Sequence, residues 1–221
     1  MDSARIFPGG FLFRPGLCVR IDGNSPVYLK RNIMQMRTFD IAGPVLMTPE
    51  VFVDERGYFF ESFQKERYRE LGIPADDFVQ ENISKSKKGV LRGMHFQRDP
   101  FAQGKLVQVL RGRVLDVAAD IRFGSPTYGQ YVAVELSEEN HQQFWVPVGF
   151  AHGFLALEDD TVFSYKVTAL YSKVSEGGIR FDDTDLNIAW PFKYPIVLEK
   201  DRQLFSLAQY GGNPTFRFEE K

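Results

Sequence analysis

The chain has 221 residues, of which 43% are hydrophobic and 25% are charged, and its formal net charge is −2. This composition is ordinary for a globular protein and excludes disorder over most of the chain, while the near-neutral charge argues against general nucleic-acid binding. No apolar run approaches the ~18 residues of a membrane-spanning helix, so no membrane partner is expected. The one cysteine, Cys18, cannot form an internal disulfide, which fits a reducing compartment and predicts a cytoplasmic location.

Residues 1–35 differ in composition from the rest of the chain. Prolines and glycines interrupt this segment, and it has neither the apolar region of a signal peptide nor the serine richness of a transit peptide. We interpret it as a weakly ordered N-terminal extension or the product of an upstream start codon, with a functional tail as the alternative. Residues 36–221 are then expected to form the folded domain.

Beyond Phe39 the sequence is mostly strand-like. Apolar and polar residues alternate over 131–136 and 161–167, which predicts two half-buried strands. Two apolar runs, 106–110 and 114–117, flank a short turn around a glycine and predict a β-hairpin. Short strands at this spacing are typical of a β-sandwich, jelly roll or barrel, so the predicted fold class is all-β.

Two short helices are predicted at the periphery of this all-β fold. The first spans 63–71, with Ser62 as its N-cap and Gly72 as its end. The second spans 201–209, is opened by Asp201 and ends before a pair of glycines.

Several common chemical motifs are missing from the sequence. It has no glycine-rich phosphate loop, no dinucleotide-binding glycine motif, no Gly-x-Ser-x-Gly motif and no pair of cysteines. The chemistry is therefore expected to be cofactor-free acid–base work, unless a metal binds through unusual ligands. The three histidines are His95, His141 and His152, so a metal site built on three imidazoles would need all of them.

The densest cluster of polar residues lies between positions 80 and 105. Arg92 and His95 lie on opposite faces of an extended strand unless Gly93 introduces a bulge. A single histidine in a strand is more often a core or surface residue than a base. Farther along, two glycines flank His152, which predicts either a tight backbone that brings the imidazole into a cavity or a buried histidine at a turn.

Two further segments carry candidate residues. Tyr165 shares its predicted strand face with apolar side chains, so it is either a core residue or a phenol, with an ordinary pKa of ~10, that donates a proton to a carbanion in a dry site. Arg56 either grips a phosphate through paired hydrogen bonds or forms the charged tip of a turn.

Six motifs occur in order along the chain: Asp54-Glu55-Arg56-Gly57, Phe59-Phe60-Glu61-Ser62-Phe63, Gln80-x-Asn82-x-Ser84, Gly89-Val90-Leu91-Arg92-Gly93-Met94-His95-Phe96-Gln97, Gln103-Gly104-Lys105 and Pro147-x-Gly149-Phe150-Ala151-His152-Gly153-Phe154. In this combination the chain, from about Met36 to Gln209, resembles the dTDP-4-dehydrorhamnose 3,5-epimerase family, the cofactor-free cupin epimerases of deoxysugar biosynthesis. The resemblance implies a cupin or jelly-roll fold, a homodimer, no cofactor, and a dTDP-linked 4-keto-6-deoxy sugar as the substrate.

The reaction of that family inverts C3 and C5, which both lie next to the C4 ketone. It needs a base, an acid on the opposite face of the sugar and a cation near the keto oxygen. By resemblance, His95 is the base, Tyr165 is the acid and Lys105 is the cation. Asp201 matches the carboxylate that pairs with the base and fixes its tautomer, with a plain helix N-cap as the alternative role.

The resemblance assigns further residues to substrate binding. Arg56 and Arg92 are expected on the diphosphate, and His152 beside the sugar or the diphosphate. Glu61, Gln80 and Asn82 are expected to contact thymidine or sugar. Tyr171 matches the ring that stacks on thymine, Glu176 matches a nearby polar contact, and Lys200 matches a further binding position. The cupin metal motif is reduced to His95-Phe96-Gln97, so the usual site of three histidines and a glutamate is not expected to form.

Three alternative functions remain open. A 3-epimerase that inverts one carbon shares the same motifs, and a non-catalytic cupin that binds a nucleotide sugar would keep the arginines. The second does not need a tyrosine opposite a histidine, so Tyr165 on the inward face argues against it. A structural interaction protein is supported only by the abundant phenylalanines, some of which are expected to line the dimer interface.

Overall fold

The computed structural model describes residues 6–7, 11–12, 29–31 and 34–219. Its strands in chain order are β1 (Ile6–Phe7), β2 (Phe11–Leu12), β3 (Leu29–Arg31), β4 (Met34–Thr38), β5 (Val45–Pro49), β6 (Phe52–Asp54), β7 (Gly57–Phe59), β8 (Gln80–Ser86), β9 (Leu91–Gln97), β10 (Lys105–Arg111), β11 (Arg113–Asp120), β12 (Tyr131–Ser137), β13 (Gln143–Val146), β14 (Phe150–Ala156), β15 (Thr161–Val167) and β16 (Glu176–Gly178). The α-helices are α1 (Lys65–Glu70), α2 (Glu199–Arg202) and α3 (Leu207–Gly212). No helix in the described ranges is both long and apolar enough to span a membrane.

Two antiparallel sheets form the body of the molecule. The seven-stranded sheet has the order β3-β4-β5-β13-β10-β15-β8, and the five-stranded sheet has the order β12-β11-β14-β9-β16. Val107, Phe144 and Phe163 of the larger sheet pack against Val114 and Phe154 of the smaller one in a buried cluster between the sheets. This arrangement confirms the predicted all-β jelly-roll sandwich with a few short helices.

The C-terminal part of the chain covers the outer face of the five-stranded sheet. Outward side chains of β9 and β11, such as Met94 and Val117, pack with Ile179, Leu207 and Phe216. Both faces of β14 are therefore buried, which explains why this strand is apolar at every position except His152 rather than alternating.

The strands predicted over 131–136 and 161–167 are confirmed as β12 and β15. The predicted hairpin of 106–110 and 114–117 is wrong, because β10 pairs with β13 and β15 whereas β11 pairs with β12 and β14. The glycine turn between them is a corner at which the chain passes from one sheet to the other. Two apolar runs around a glycine fit both arrangements, and only long-range pairing distinguishes them.

The first predicted helix begins later than expected. Gln64, rather than Ser62, caps α1 by accepting a hydrogen bond from the backbone N–H of Arg67. Ser62 instead uses its carbonyl oxygen, which accepts hydrogen bonds from the Tyr68 hydroxyl and the Gln143 side chain. These partly buried contacts hold the chain before α1 extended, so the helix begins only at Lys65.

The second predicted helix is wrong as a single element, because the structure contains two helices, α2 and α3, separated by a break. Asp201 lies inside α2, whose N-cap is Leu198, and is not a capping residue. Phe205 in the break accepts a backbone hydrogen bond from Arg180 and is therefore held in extended pairing. Ser206 then caps α3, which includes the glycine pair that was predicted to end the helix.

The predicted weak order of residues 1–35 concerns positions that lie mostly outside the described ranges, so it stays a prediction. Within the described residues, β3 pairs with β4, which begins at Met34.

We predict that Gly153→Ala destabilises the protein by about 1–3 kcal/mol, because the added methyl group overpacks the contact between β9 and β14. A Cβ at Gly153 would lie 2.7 Å from the Met94 sulfur and 2.9 Å from the Arg92 carbonyl oxygen. Urea unfolding measures the loss as a lower midpoint at an unchanged slope. The matched control is Gly212→Ala, where a Cβ meets nothing within 4 Å. The control is expected to retain or slightly raise stability, and equal stability of the two variants would contradict the close approach of the strands.

Candidate active site

A cavity of about 470 Å³ lies between the two sheets, and an adjoining cavity of about 270 Å³ shares its wall. Strands β9 and β14 form one side and strands β8, β10 and β15 form the other. The segment 196–201 closes one edge. Eleven of the thirteen predicted site residues line these cavities: Gln80, Asn82, Arg92, His95, Lys105, His152, Tyr165, Tyr171, Glu176, Lys200 and Asp201.

A bulge in β9 brings Arg92 and His95 to the same cavity. On β14, His152 pairs with His95 and Phe154 pairs with Arg92, so β9 has one extra residue between these two pairs. The extra residue reverses the alternation of side chains, which is the effect of a bulge near Gly93 that the sequence analysis considered.

His95 Nε2 lies 2.8 Å from Asp201 Oδ1. The Asp201 side chain is 3% exposed, whereas that of His95 is 25% exposed toward the cavity. An ionised carboxylate only accepts hydrogen bonds, so a neutral imidazole in this contact is the tautomer that donates Nε2–H and keeps its lone pair on Nδ1. The pair therefore presents an oriented imidazole with a proton-accepting nitrogen.

The segment 196–201, which closes the edge of the cavity, also positions Asp201. The backbone N–H of Ile196 donates to the Gly89 carbonyl at 2.8 Å, and the N–H of Leu91 donates to the Ile196 carbonyl at 2.9 Å. These bonds hold the segment on the edge of β9 directly before α2, which carries Asp201. Ile196 and its neighbours also supply an apolar wall, which sequence reasoning missed because the segment has no strand periodicity.

Lys105 and Tyr165 lie on the wall formed by the seven-stranded sheet. They share the inward face of that sheet with Val107 and Phe163, while His95 comes from the opposite sheet. Burial lowers the pKa of Lys105 to about 8, against the opposing influence of Asp116 and Glu176. Burial also raises the pKa of the Tyr165 phenol, so this group is protonated at neutral pH.

His152 is hydrogen-bonded to a buried carboxylate that the sequence analysis did not identify. Its Nε2 lies 2.9 and 3.0 Å from the two oxygens of Asp116, which is fully buried. Asp116 lies in the middle of the apolar strand β11, on the inward face with Val114 and Ala118. An acidic residue at an inward position of an apolar strand is the sequence signal that marks it.

Polar groups on β8 and near the cavity mouth form a second region. The Gln80 amide donates to Asn82 at 2.8 Å, and Gln80 accepts the backbone N–H of Tyr171 at 3.1 Å. Ser84, which the predicted set omitted although it belongs to the same motif, has a buried hydroxyl without a hydrogen-bond partner among the described residues. Its hydroxyl is available to a ligand in the cavity.

An ion pair lies at the mouth. Lys200 Nζ lies 2.7 Å from Glu176 Oε1, and the Tyr171 hydroxyl donates to the other oxygen at 3.2 Å. Burial would raise the pKa of Glu176, but its hydrogen bonds with Lys200 and Tyr171 lower it overall. Glu176 is thus ionised at neutral pH.

Two predicted residues, Arg56 and Glu61, do not line either cavity of their own chain. Arg56 is bound to Asp54 at the exposed tip of the β6–β7 hairpin, where its side chain is 85% exposed. Glu61 forms an ion pair with Arg67 of α1.

Within the described parts of the chain, no three His, Cys, Asp or Glu side chains are arranged to hold a metal ion. Each imidazole has another contact: His95 and His152 bind carboxylates, and His141 packs against the rings of Tyr58 and Phe60.

Similarities to known proteins extend over most of the chain. A profile of dTDP-4-dehydrorhamnose 3,5-epimerase matches residues 38–209. The dTDP-4-dehydrorhamnose 3,5-epimerase of Shigella flexneri is 50% identical over 162 residues, which cover 73% of this chain and 90% of that protein.

Two solved structures share the fold. The dTDP-6-deoxy-D-glucose-3,5-epimerase of Legionella pneumophila, in complex with dTDP-4-keto-L-rhamnose, superposes with a TM-score of 0.80 at 46% identity, covering 85% of this chain and 100% of that one. A 3′-monoepimerase of Streptomyces bikiniensis, in complex with dTDP-quinovose, gives 0.77 at 30% identity, covering 81% and 91%. The matched profile and the extent of these similarities show that the chain belongs to the dTDP-4-dehydrorhamnose 3,5-epimerase family.

Proposed function

We propose that the chain inverts C3 and C5 of dTDP-4-dehydro-6-deoxy-D-glucose and produces dTDP-4-dehydro-L-rhamnose without a cofactor, in the cytoplasm. One observation carries this proposal: the carboxylate-bound imidazole of His95 faces Lys105 and Tyr165 across one cavity. A base and an acid on opposite walls are what inversion of a carbon next to a ketone requires. The higher identity to 3,5-epimerases than to a 3′-monoepimerase supports inversion at both carbons.

Each inversion begins with removal of an acidic C–H proton. Nδ1 of His95 takes the proton, and the buried carboxylate of Asp201 stabilises the imidazolium that results. The electron pair moves onto the C4 oxygen as an enolate. The ammonium group of Lys105 stabilises that oxygen, since a unit charge ~4 Å away contributes about 4 kcal/mol at an effective dielectric of ~20.

Reprotonation from the other face completes the inversion. Burial keeps Tyr165 protonated, so the phenol is available to donate its proton to the enolate carbon. The base and acid recover their protonation states by exchange with solvent, and the second carbon reacts in the same way.

The remaining cavity residues bind the nucleotide part of the substrate. Arg92 and His152 line the cavity and supply positive charge and a hydrogen bond to the diphosphate and sugar. The polar set at the mouth contacts the sugar and thymidine, with the exposed ring of Tyr171 stacking on thymine: Gln80, Asn82, Tyr171, Glu176 and Lys200.

We expect the protein to incorporate solvent deuterium at both C3 and C5 when it is incubated with dTDP-4-keto-6-deoxyglucose in D₂O and followed by proton NMR. His95→Ala should reduce exchange at both carbons by a factor of about 10² or more, because the base is lost. The control is His141→Asn, which removes a histidine outside the cavities at a position with a φ of 53° that asparagine tolerates.

The outcomes separate the alternatives. Deuterium at C3 alone in the unmodified protein would indicate a 3-epimerase. No exchange by the folded protein would indicate a nucleotide-sugar binding protein. Exchange at the normal rate in His95→Ala would show that another group is the base.

Tyr165→Phe is expected to separate exchange from inversion. His95 still removes protons, but the enolate is then reprotonated from the face of the base, so deuterium enters while the configuration is retained. NMR of the same reaction gives the ratio of deuterated, uninverted sugar to epimerised sugar. Tyr194→Phe, at an 83% exposed position outside the cavities, should behave like the unmodified protein. Inversion by Tyr165→Phe at the normal rate would contradict the assignment of the acid.

We also infer that the chain acts as a homodimer. The β6–β7 hairpin exposes the apolar side chains of Phe52, Val53, Tyr58 and Phe59, with Val53 77% and Phe59 69% exposed. Phe52 pairs with Phe59 and Val53 with Tyr58, so both faces of the hairpin expose apolar side chains, and exposed apolar surface of this kind is typical of an interface between proteins. Arg56 at the tip of this hairpin lies outside the cavity of its own chain, and a second copy offers it a cavity to enter.

Light scattering at micromolar concentration should therefore give twice the mass of one chain. Val53→Asp places a charge in the proposed interface and is expected to give a monomer with reduced exchange activity. Tyr194→Asp, a charge at an equally exposed position elsewhere, is expected to remain dimeric. A monomeric unmodified protein would refute the dimer.

A further inference from the structure

Asp116 lies beneath the cavity without lining it. It is fully buried, and its alternation with Val114 and Ala118 directs its side chain from β11 into the space between the sheets. Both carboxylate oxygens lie within 3.0 Å of His152 Nε2. Among the described residues, that imidazole is its one hydrogen-bonding partner at contact distance.

A fully buried carboxylate is costly unless nearby positive charge or hydrogen bonds compensate it. The compensation here comes from the cavity wall. His152 supplies the hydrogen bond, and the ammonium of Lys105 interacts with the charge of Asp116 from the opposite sheet. Both partners line the cavity, so the carboxylate connects two groups that face the substrate.

A second buried aspartate on the same strand shows the contrast. Asp120 is also fully buried on the inward phase of β11, but it is bound by Arg122, Ser125 and Thr127 outside the cavities. These partners belong to the turn that follows β11, so Asp120 stabilises that turn. Asp116 has no such local partners in the described residues.

We propose that Asp116 is a positioning residue for the epimerisation: it accepts the Nε2–H of His152, so that the ring presents Nδ1 to the substrate, and it places a negative charge behind the cavity wall that His152 and Lys105 line. This inference rests on the proposed function, because it assigns Asp116 a purpose within that site. The carboxylate acts through these two residues and does not itself contact the sugar.

The charge effect has a defined direction. Burial lowers the pKa of Lys105 to about 8, and the negative charges of Asp116 and Glu176 act against this decrease. The ammonium is lost as the pH rises through about 8. Removing Asp116 lowers the pKa further, so the cation near the keto oxygen is lost at a lower pH.

Other charged or titratable groups also face this region, and the experiment has to separate them from Asp116. Those that line the cavities with Lys105 are Arg92, His95, His152, Tyr165, Tyr171, Glu176, Lys200 and Asp201. A substitution that changes Asp116 alone leaves all of these charges in place, which makes Asp116→Asn the informative variant.

The direct test is the titration of Lys105 by NMR in protein labelled with ¹³C at the lysine ε-carbon, with Lys105→Arg identifying the resonance. The midpoint is expected near 8 in the unmodified protein. In Asp116→Asn it should fall by about one pH unit, as loss of a nearby opposite charge does. Asp120→Asn is the control for removing a buried carboxylate from β11, and its Lys105 midpoint should equal that of the unmodified protein.

The dependence of kcat/KM on pH in the exchange reaction is a second test of the charge effect. With a midpoint about one unit lower, the protonated fraction of Lys105 at pH 8 falls from about one half to about one tenth, so Asp116→Asn should lose about fivefold in kcat/KM at that pH. The loss should be smaller at pH 6.5, which a purely structural defect would not produce. An unchanged Lys105 midpoint in Asp116→Asn would overturn the proposal.

A measurement on the unmodified protein covers the case in which Asp116→Asn fails to fold. Long-range ¹H–¹⁵N spectra of His152 should show a protonated Nε2 at pH 7, and a ring with the proton only on Nδ1 would overturn the proposal. Failure of the proposed function is distinguishable, because the lysine and histidine spectra need no turnover. Absent exchange with a lowered Lys105 midpoint in Asp116→Asn would refute the reaction while leaving the charge effect of Asp116 supported.

Discussion

The hydrogen bond between His95 and Asp201 joins two residues that are 106 positions apart, and the geometry of the cavity depends on it. It ties α2 and the segment before it to the edge of the five-stranded sheet. The same segment closes one side of the cavity and excludes water from the buried carboxylate. The contact is therefore structural and chemical at once: it completes the wall of the site and fixes which nitrogen of the imidazole faces the interior.

The charges of the site are arranged by the two sheets. The larger sheet contributes Lys105 and the phenol of Tyr165, and the smaller sheet contributes the two histidines with a carboxylate behind each. Burial lowers the pKa of the lysine and raises that of the tyrosine, in both cases because the charged form loses solvation. A lysine whose pKa is near 8 is still cationic at neutral pH, and a buried phenol is still protonated. Burial thus leaves both groups protonated at neutral pH, as the proposed enolate chemistry requires.

Close packing of strands makes this arrangement possible. Gly153 on β14 lies against β9, where a Cβ would meet the Arg92 carbonyl and Met94, and the bulge at that point turns Arg92 and His95 to the same side. The glycines flanking His152 in the sequence predict such a tight backbone correctly. The bulge itself could be considered from the sequence but not decided, because its presence depends on the register with β14.

The sequence by itself determined the all-β class and strands such as β12 and β15, because period-two alternation is a local property of the chain. Most of the residues that meet in the cavity were predicted from the resemblance of the ordered motifs to the epimerase family. The tertiary structure alone decided which strands pair: β10 and β11, predicted to form a hairpin, belong to different sheets and are joined by a turn between them. It also split the second helix and assigned Asp201 to His95 rather than to a helix cap. Packing and burial determine which residues distant in sequence come into contact. Asp116 is an example: its strand can be predicted from the sequence, but its contact with His152 forms only when β11 and β14 pair in the sheet.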